Sequence, residues 1–255
     1  LEFFKKGATP PVVISTAHVR EMREVEQTAD TLTFGAAVTY SELLPYLDQI
    51  TPAFGGLLRR IGSRQIRNLG TVGGNLVTAS PIGDTLPCLM ALDASVMIRS
   101  SDTARSLAVS DFITGYRKTA LMPGEFVESI SIPVPTAGSR FAAYKISRRF
   151  DQDISAVVAA YLLCLDGGRV RELRAFYGGV GATTIRAVKL ERAVTGKAWT
   201  AETVALGMAA LAEDISPMDD FRASAAYRNR VAANLLQRLH AETTDGDTPV
   251  RLEAL

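Results

Sequence analysis

The sequence predicts an α+β fold, and three observations point there. In the second half, strand candidates come first and helices follow, without the regular alternation that builds a doubly wound sheet. No G-x-G-x-x-G motif lies between a strand and a helix, so the dinucleotide-binding turn of such sheets is absent. The 255 residues are 47% hydrophobic and 22% charged, a globular composition with room for one large domain or two smaller ones.

Residues 31–38 alternate well enough for a strand, and Thr39 and Ser41 then offer N-caps for a short helix through Leu44, Leu47 and Ile50. Residues 54–67 read as an amphipathic helix, with Leu57, Leu58, Ile61 and Ile66 opposed to a solvated face of Arg59, Arg60, Arg64 and Arg67. A polar glycine loop at 71–75 and an apolar segment at 86–92 follow. Segments 94–99 and 106–109 are two short strands around a polar turn at 100–103. Residues 111–118 resemble a capped helical turn ending in Arg117 and Lys118. The strand 126–132 places Val127, Ser129 and Ser131 on one face and Glu128, Ile130 and Ile132 on the other. Pro133, Pro135, Thr136, Gly138 and Ser139 then interrupt the pattern and set a domain boundary, giving units 1–135 and 136–255. In the second unit 140–147 and 155–165 are strands, and Asp166-Gly-Gly-Arg169 signals a hairpin into 170–177. Gly178 to Gly181 closes that strand, and helices take 184–194, 201–215 and 223–242. Trp199, before the N-cap Thr200, is a core anchor.

A formal net charge of +1 gives no footprint for nucleic acid or a membrane surface. The longest apolar run, 156–165, is half of what a membrane span needs. No signal peptide opens the chain, so a cytoplasmic location is expected. The first residue is Leu rather than Met, which suggests a piece of a longer chain or a processed subunit. Cys88 and Cys164 both sit in apolar stretches and read as small buried hydrophobes. Two separated cysteines do not hold a structural zinc or an iron–sulfur cluster, each of which takes about four protein ligands. His18 and His240 stand far apart among charged residues, which disfavours a histidine triad or metal site. Any redox chemistry here would come from a bound organic cofactor.

Two segments carry chemical signal. Thr71-Val-Gly-Gly-Asn75 is followed by Ala79-Ser-Pro-Ile-Gly-Asp84. Adjacent glycines make either a tight turn or a cradle whose backbone N–H groups close on a phosphate. In the second reading Asn75 and Ser80 add short polar side chains, and Asp84 accepts from a ribose hydroxyl. Lys145-Ile-Ser-Arg-Arg-Phe-Asp-Gln-Asp153 is either a solvated loop with internal ion pairs or the edge of a site that meets an anionic group.

Together with Gly115-Tyr-Arg-Lys-Thr119, Phe150-Asp-Gln-Asp-Ile-Ser155 and Asp220-Phe-Arg-Ala-Ser-Ala-Ala-Tyr-Arg228, these segments resemble the FAD-binding module of the molybdenum hydroxylases over nearly the whole chain. Within that family the flavin-carrying small subunit of the bacterial xanthine dehydrogenases is the nearest look. The resemblance implies a vanillyl-alcohol-oxidase-type FAD subdomain up to about residue 135. An antiparallel sheet with helices packed on one face would follow it. It implies FAD in this chain, with the molybdenum cofactor and 2Fe–2S clusters on partner domains or subunits of a hetero-oligomer. Electrons would leave through the flavin to NAD.

Carried over by residue, Thr71, Val72, Gly73, Gly74 and Asn75 match the loop around the FAD phosphates, and Asp84 matches an acid at the adenosine end. Ile61 and Val127 match positions enclosing the adenine, and Val77 one near the isoalloxazine. Lys145 matches a lysine beside the flavin ring, where it would stabilise negative charge on reduced flavin. Phe150, Asp151, Gln152 and Asp153 match the loop that influences the choice between NAD and oxygen. No residue of this chain is assigned a catalytic role beyond the flavin, and no metal ligand is assigned. The family's first phosphate loop and its cluster-binding cysteines do not occur in this sequence. A second reading is the medium subunit of a carbon monoxide dehydrogenase or aromatic hydroxylase of the same family. A third is a scaffold subunit that carries no flavin.

Overall fold

A computed structural model describes residue 7 and residues 11–150 and 152–244. The first layer is an antiparallel sheet formed by β1 (Val25–Gln27), β2 (Thr31–Gly35), β3 (Ser95–Arg99), β4 (Ala104–Ala108) and β7 (Phe126–Pro133), in the order β1-β2-β7-β3-β4. Leu32, Phe34, Val96, Ile98, Ile130 and Ile132 point into the first core, while the Thr33 and Ser131 hydroxyls bond at 2.9 Å on the opposite face.

Alternation breaks once. Met97 pairs with Ser129 but Ile98 pairs with Val127, so Glu128 is an extra residue in the ladder. This corrects the expected faces of β7: the bulge turns Val127 into the same core as Ile130 and Ile132.

Helix α1 (Tyr40–Ile50) starts from a reciprocal capping box, with Thr39 accepting from the Glu42 N–H and Glu42 accepting from the Thr39 N–H. The expected single helix over 54–67 is two pieces, α2 (Pro52–Arg59) and α3 (Arg64–Arg67). Gly62 breaks it at φ +56. The arginine stripe is not simply solvated either. Arg59 pairs with Asp48, Arg67 donates to the Gly62 carbonyl at 2.8 Å, and Arg60 reaches into the second unit. α4 (Val72–Thr78) and α5 (Thr85–Ala91) follow. Every residue of α5 is buried, as expected of a helix apolar all round. The expected helical turn at 111–118 is a short α6 (Val109–Phe112) and a tight hairpin of β5 (Ile113–Gly115) and β6 (Lys118–Thr119), with Arg117 at φ +52.

The second sheet contains β8 (Ser139–Ile146), β9 (Val157–Asp166), β10 (Arg169–Gly178) and β11 (Ile185–Arg186), antiparallel in the order β11-β10-β9-β8. Its period of two splits the side chains. Val158, Ala160 and Phe176 join the first core under α5. Val157, Ala159, Tyr161, Leu163 and Tyr177 join a second core under α7 (Val188–Val194), α8 (Ala201–Leu211) and α9 (Ala225–Thr244). The hairpin at Gly167 and Gly168 has both φ angles positive, +52 and +76, as a type I′ turn demands. The expected helix at 184–194 begins with β11 instead. Trp199 anchors α9 through Thr243 at 2.8 Å and the His240 ring. Cys88 and Cys164 are free and buried. Among the described residues no helix is long and apolar enough to cross a membrane, and no cluster of three potential metal ligands occurs.

The start of α9 is pinned by Arg228, whose guanidinium donates to Asp220 Oδ1 at 2.6 Å. Burial raises the Asp220 carboxyl, but the N–H groups of Ala223 and Arg222 and the Arg228 guanidinium outweigh it and hold the group at about 2. The folded value lies below the ordinary 3.8, so this stabilisation is full above that pH and is lost as pH falls toward about 2. Asp220→Asn is expected to flatten the loss of stability across that window, followed by circular dichroism during acid titration. An unchanged profile would mean that the carboxylate is solvated.

Candidate functional site

The glycine segment expected as a loop is the first turn of α4. Thr71 is the N-cap, and its Oγ1 accepts from the Gly74 N–H at 2.9 Å. Val72 and Gly73 supply the other early N–H groups, which have no acceptor inside a helix. The two glycines do different work. A Cβ on Gly73 would lie 2.6 Å from the Ala36 carbonyl oxygen, so this glycine lets α4 sit against the end of β2. Gly74 is exposed, and a Cβ there would meet only Thr71 Oγ1 at 3.1 Å. Its outward backbone is open to a ligand.

Asn75 links the two halves of the motif. Its Oδ1 accepts from Thr85 Oγ1 at 2.6 Å, which commits its acceptor inward and leaves the amide N–H groups as donors. Next to Thr85 lies Asp84, with Oδ2 on Lys145 Nζ and Oδ1 on Ser155 Oγ, both at 2.5 Å. The side chains of Asp84 and Lys145 are 9% and 2% exposed. A buried charge needs a partner and hydrogen bonds, and this group has both. The carboxylate of Asp84, the residue expected at the ribose, thus faces Lys145 and Ser155.

Lys145 ends β8 from inside, and the chain beyond it is gripped from the other unit. Arg60 donates to the Lys145 carbonyl at 2.6 Å, to Ser147 Oγ at 3.3 Å and to the Phe150 carbonyl at 3.3 Å. Its guanidinium lies over the Phe150 ring, 4.9 Å from the centroid. Gln152 is held at φ +52, a strained conformation for a non-glycine residue. Asp153 accepts from the N–H groups of Arg149 and Ile154, which together with the Arg149 guanidinium hold its carboxyl below the usual range. Asp151 lies outside the described residues.

The fold thus joins Thr71, Val72, Gly73, Gly74, Asn75, Asp84 and Lys145 into one connected patch, with Phe150 tied to it through Arg60. Ile61, next to Arg60, is partly buried against the first core. Val77 is 40% exposed on the outer side of α4. Val127, expected beside the adenine, is a core side chain turned inward by the bulge at Glu128. Arg60, Thr85 and Ser155 are site residues that the local pattern did not single out. Gly62, two positions after Arg60, was the available sign that the helical stripe ends there. An open backbone at Gly74, the helix start and the Asn75 amide suit a phosphate-bearing ligand.

Residues 2–135 match the family described as the FAD binding domain in molybdopterin dehydrogenase. The chain belongs to that family. Residues 142–243 of this flavoprotein match the CO dehydrogenase flavoprotein C-terminal domain. It is 37% identical over 213 residues to the xanthine dehydrogenase/oxidase of Gallus gallus, covering 78% of this chain and 16% of the relative. It is 28% identical over 251 residues to the nicotinate dehydrogenase FAD-subunit of Eubacterium barkeri, covering 96% of this chain and 85% of that subunit. Quinoline 2-oxidoreductase from Pseudomonas putida 86 superposes with a TM-score of 0.86 at 27% identity, over 95% of this chain and 85% of that one. The chain spans 16–19% of the length of the first curated relatives it matches.

Proposed function

We propose that this chain is the FAD-carrying part of a xanthine-dehydrogenase-like molybdenum hydroxylase. The observation that carries the reading is the junction of the Thr71–Asn75 helix start with the buried Lys145–Asp84–Ser155 group. Residues 1–135 act as a vanillyl-alcohol-oxidase-type FAD subdomain and 136–255 as the unit that supplies Lys145 and the acceptor-side loop. FAD, when bound, would supply the redox chemistry, between 2Fe–2S clusters and a molybdenum cofactor on partner domains or subunits and NAD as acceptor. The start of α4 at Gly73 and Gly74 and the Asn75 amide would hold the diphosphate, with Val72 anchoring that turn in the core. Lys145, oriented by Asp84, directs positive charge toward the ring. Arg60 fixes the Phe150–Asp153 loop and with it the access of the acceptor.

A medium subunit of a related hydroxylase is the second reading. It is supported by similarity to separate FAD subunits over most of their length, 85% for the E. barkeri protein and 83% for the glyceraldehyde dehydrogenase medium chain of Sulfolobus acidocaldarius. The test is the enzyme purified with its natural partners, assayed for the visible flavin band and for its bleaching by xanthine, nicotinate or carbon monoxide and recovery with NAD. Bleaching by xanthine and recovery with NAD are expected. A flavin-free assembly would sink both readings and leave a scaffold; bleaching only by another substrate would favour the second.

A further inference from the structure

The last described helix reaches the residues next to the candidate site through Arg228. The Arg228 side chain is 3% exposed, although it begins a long surface helix. Its Nη1 donates to the carbonyl of Gly179 at 2.9 Å and also to the carbonyl of Ala156. Its Nη2 donates to Asp220. Ala156 precedes β9 and Gly179 follows β10, so both carbonyls lie where the sheet ladder has run out.

Each of these carbonyls is one step from the FAD site. Ser155, beside Ala156, is the hydroxyl on Asp84. Gly179 donates its N–H to the Pro81 carbonyl at 2.8 Å, inside the Ser80–Asp84 turn of the motif. The contact is close-fitting, since Gly179 has φ +80 and a Cβ there would lie 2.3 Å from the Ala156 carbonyl oxygen. The planar fork of a guanidinium reaches two carbonyls and a carboxylate at once, which the single ammonium of lysine does not reproduce.

We propose that Arg228 is a positioning residue for the flavin site. It sets the Ser155 hydroxyl on Asp84, and through Gly179 the Ser80–Asp84 turn, so that Lys145 is presented in one orientation. The inference rests on FAD binding by this chain and is independent of which substrate or acceptor the assembly uses.

A double-mutant cycle on the assembled enzyme tests it. Arg228→Lys is expected to weaken FAD binding about tenfold and shift the flavin midpoint potential. Ser155→Ala should do the same alone, and the double variant should lose no more than about twofold beyond either single one. Equal losses in both backgrounds would overturn the proposal, as would unchanged FAD affinity and potential in an Arg228→Lys protein that only melts earlier. If Arg228→Lys does not fold, Asp220→Asn frees the guanidinium from one brace. It should give a smaller loss with the same non-additivity, and additivity would again overturn the proposal. Should the wild-type assembly hold no FAD, the cycle is read in melting temperature. Non-additive shifts there keep the Arg228–Ser155 coupling while the cofactor reading fails, and additive shifts reject the coupling too.

Discussion

Lys145→Met is expected to destabilise the protein by about 3–5 kcal/mol, because it strands the Asp84 carboxylate in the interior with only the Ser155 hydroxyl. That is a large share of the roughly 5–15 kcal/mol that holds a typical domain together. The single change is worse than removing both charges. Two charges taken from water lose about as much hydration as their attraction returns, whereas one unpaired charge only loses. A Lys145→Met, Asp84→Leu double variant should therefore recover most of the stability in urea denaturation. It should not recover flavin if Lys145 is the cation for the ring that the proposed function makes it. A single variant within about 1 kcal/mol of wild type would mean that water reaches Asp84, and the electrostatic role given to Lys145 would fall with it.

What the sequence made legible was the local part of this site. The Gly167-Gly168 hairpin, the Thr39 cap and the existence of strands β8 to β10 each rest on neighbouring residues, and the structure has all three. Thr71 to Asn75 were found as a motif, but as a loop, because two glycines argue against a helix while the Thr71 cap argues for one. The cap and tertiary packing prevailed. The misplaced face of Val127 came from one inserted residue, which a period-two pattern cannot register. Arg60 and Ser155 were beyond local reading for another reason. Their partners lie 85 and 71 residues away, so their side chains look like any surface arginine or strand-edge serine until the two units are packed.

The glycine pair separates folding from binding. Gly73→Ala places a methyl 2.6 Å from the Ala36 carbonyl oxygen and 2.7 Å from its Cβ, contacts made by backbone and a stub that cannot swing away. The expected cost is about 2–4 kcal/mol, larger than the gain of about 1 kcal/mol that alanine brings to a helix interior. Gly74→Ala meets only the Thr71 hydroxyl, which has to give by a small fraction of an ångström. The apoprotein should keep its melting temperature or rise slightly. A methyl at this position nevertheless covers the backbone that a diphosphate would approach, and a drop of at least about tenfold in FAD affinity is expected, read by fluorescence titration. The two variants thus have opposite signatures, one unfolding the protein and the other emptying it. If Gly74→Ala binds FAD like wild type, the helix start is structural and the phosphates lie elsewhere. If Gly73→Ala is as stable as wild type, α4 has slack against β2 and the packing argument is the one to abandon.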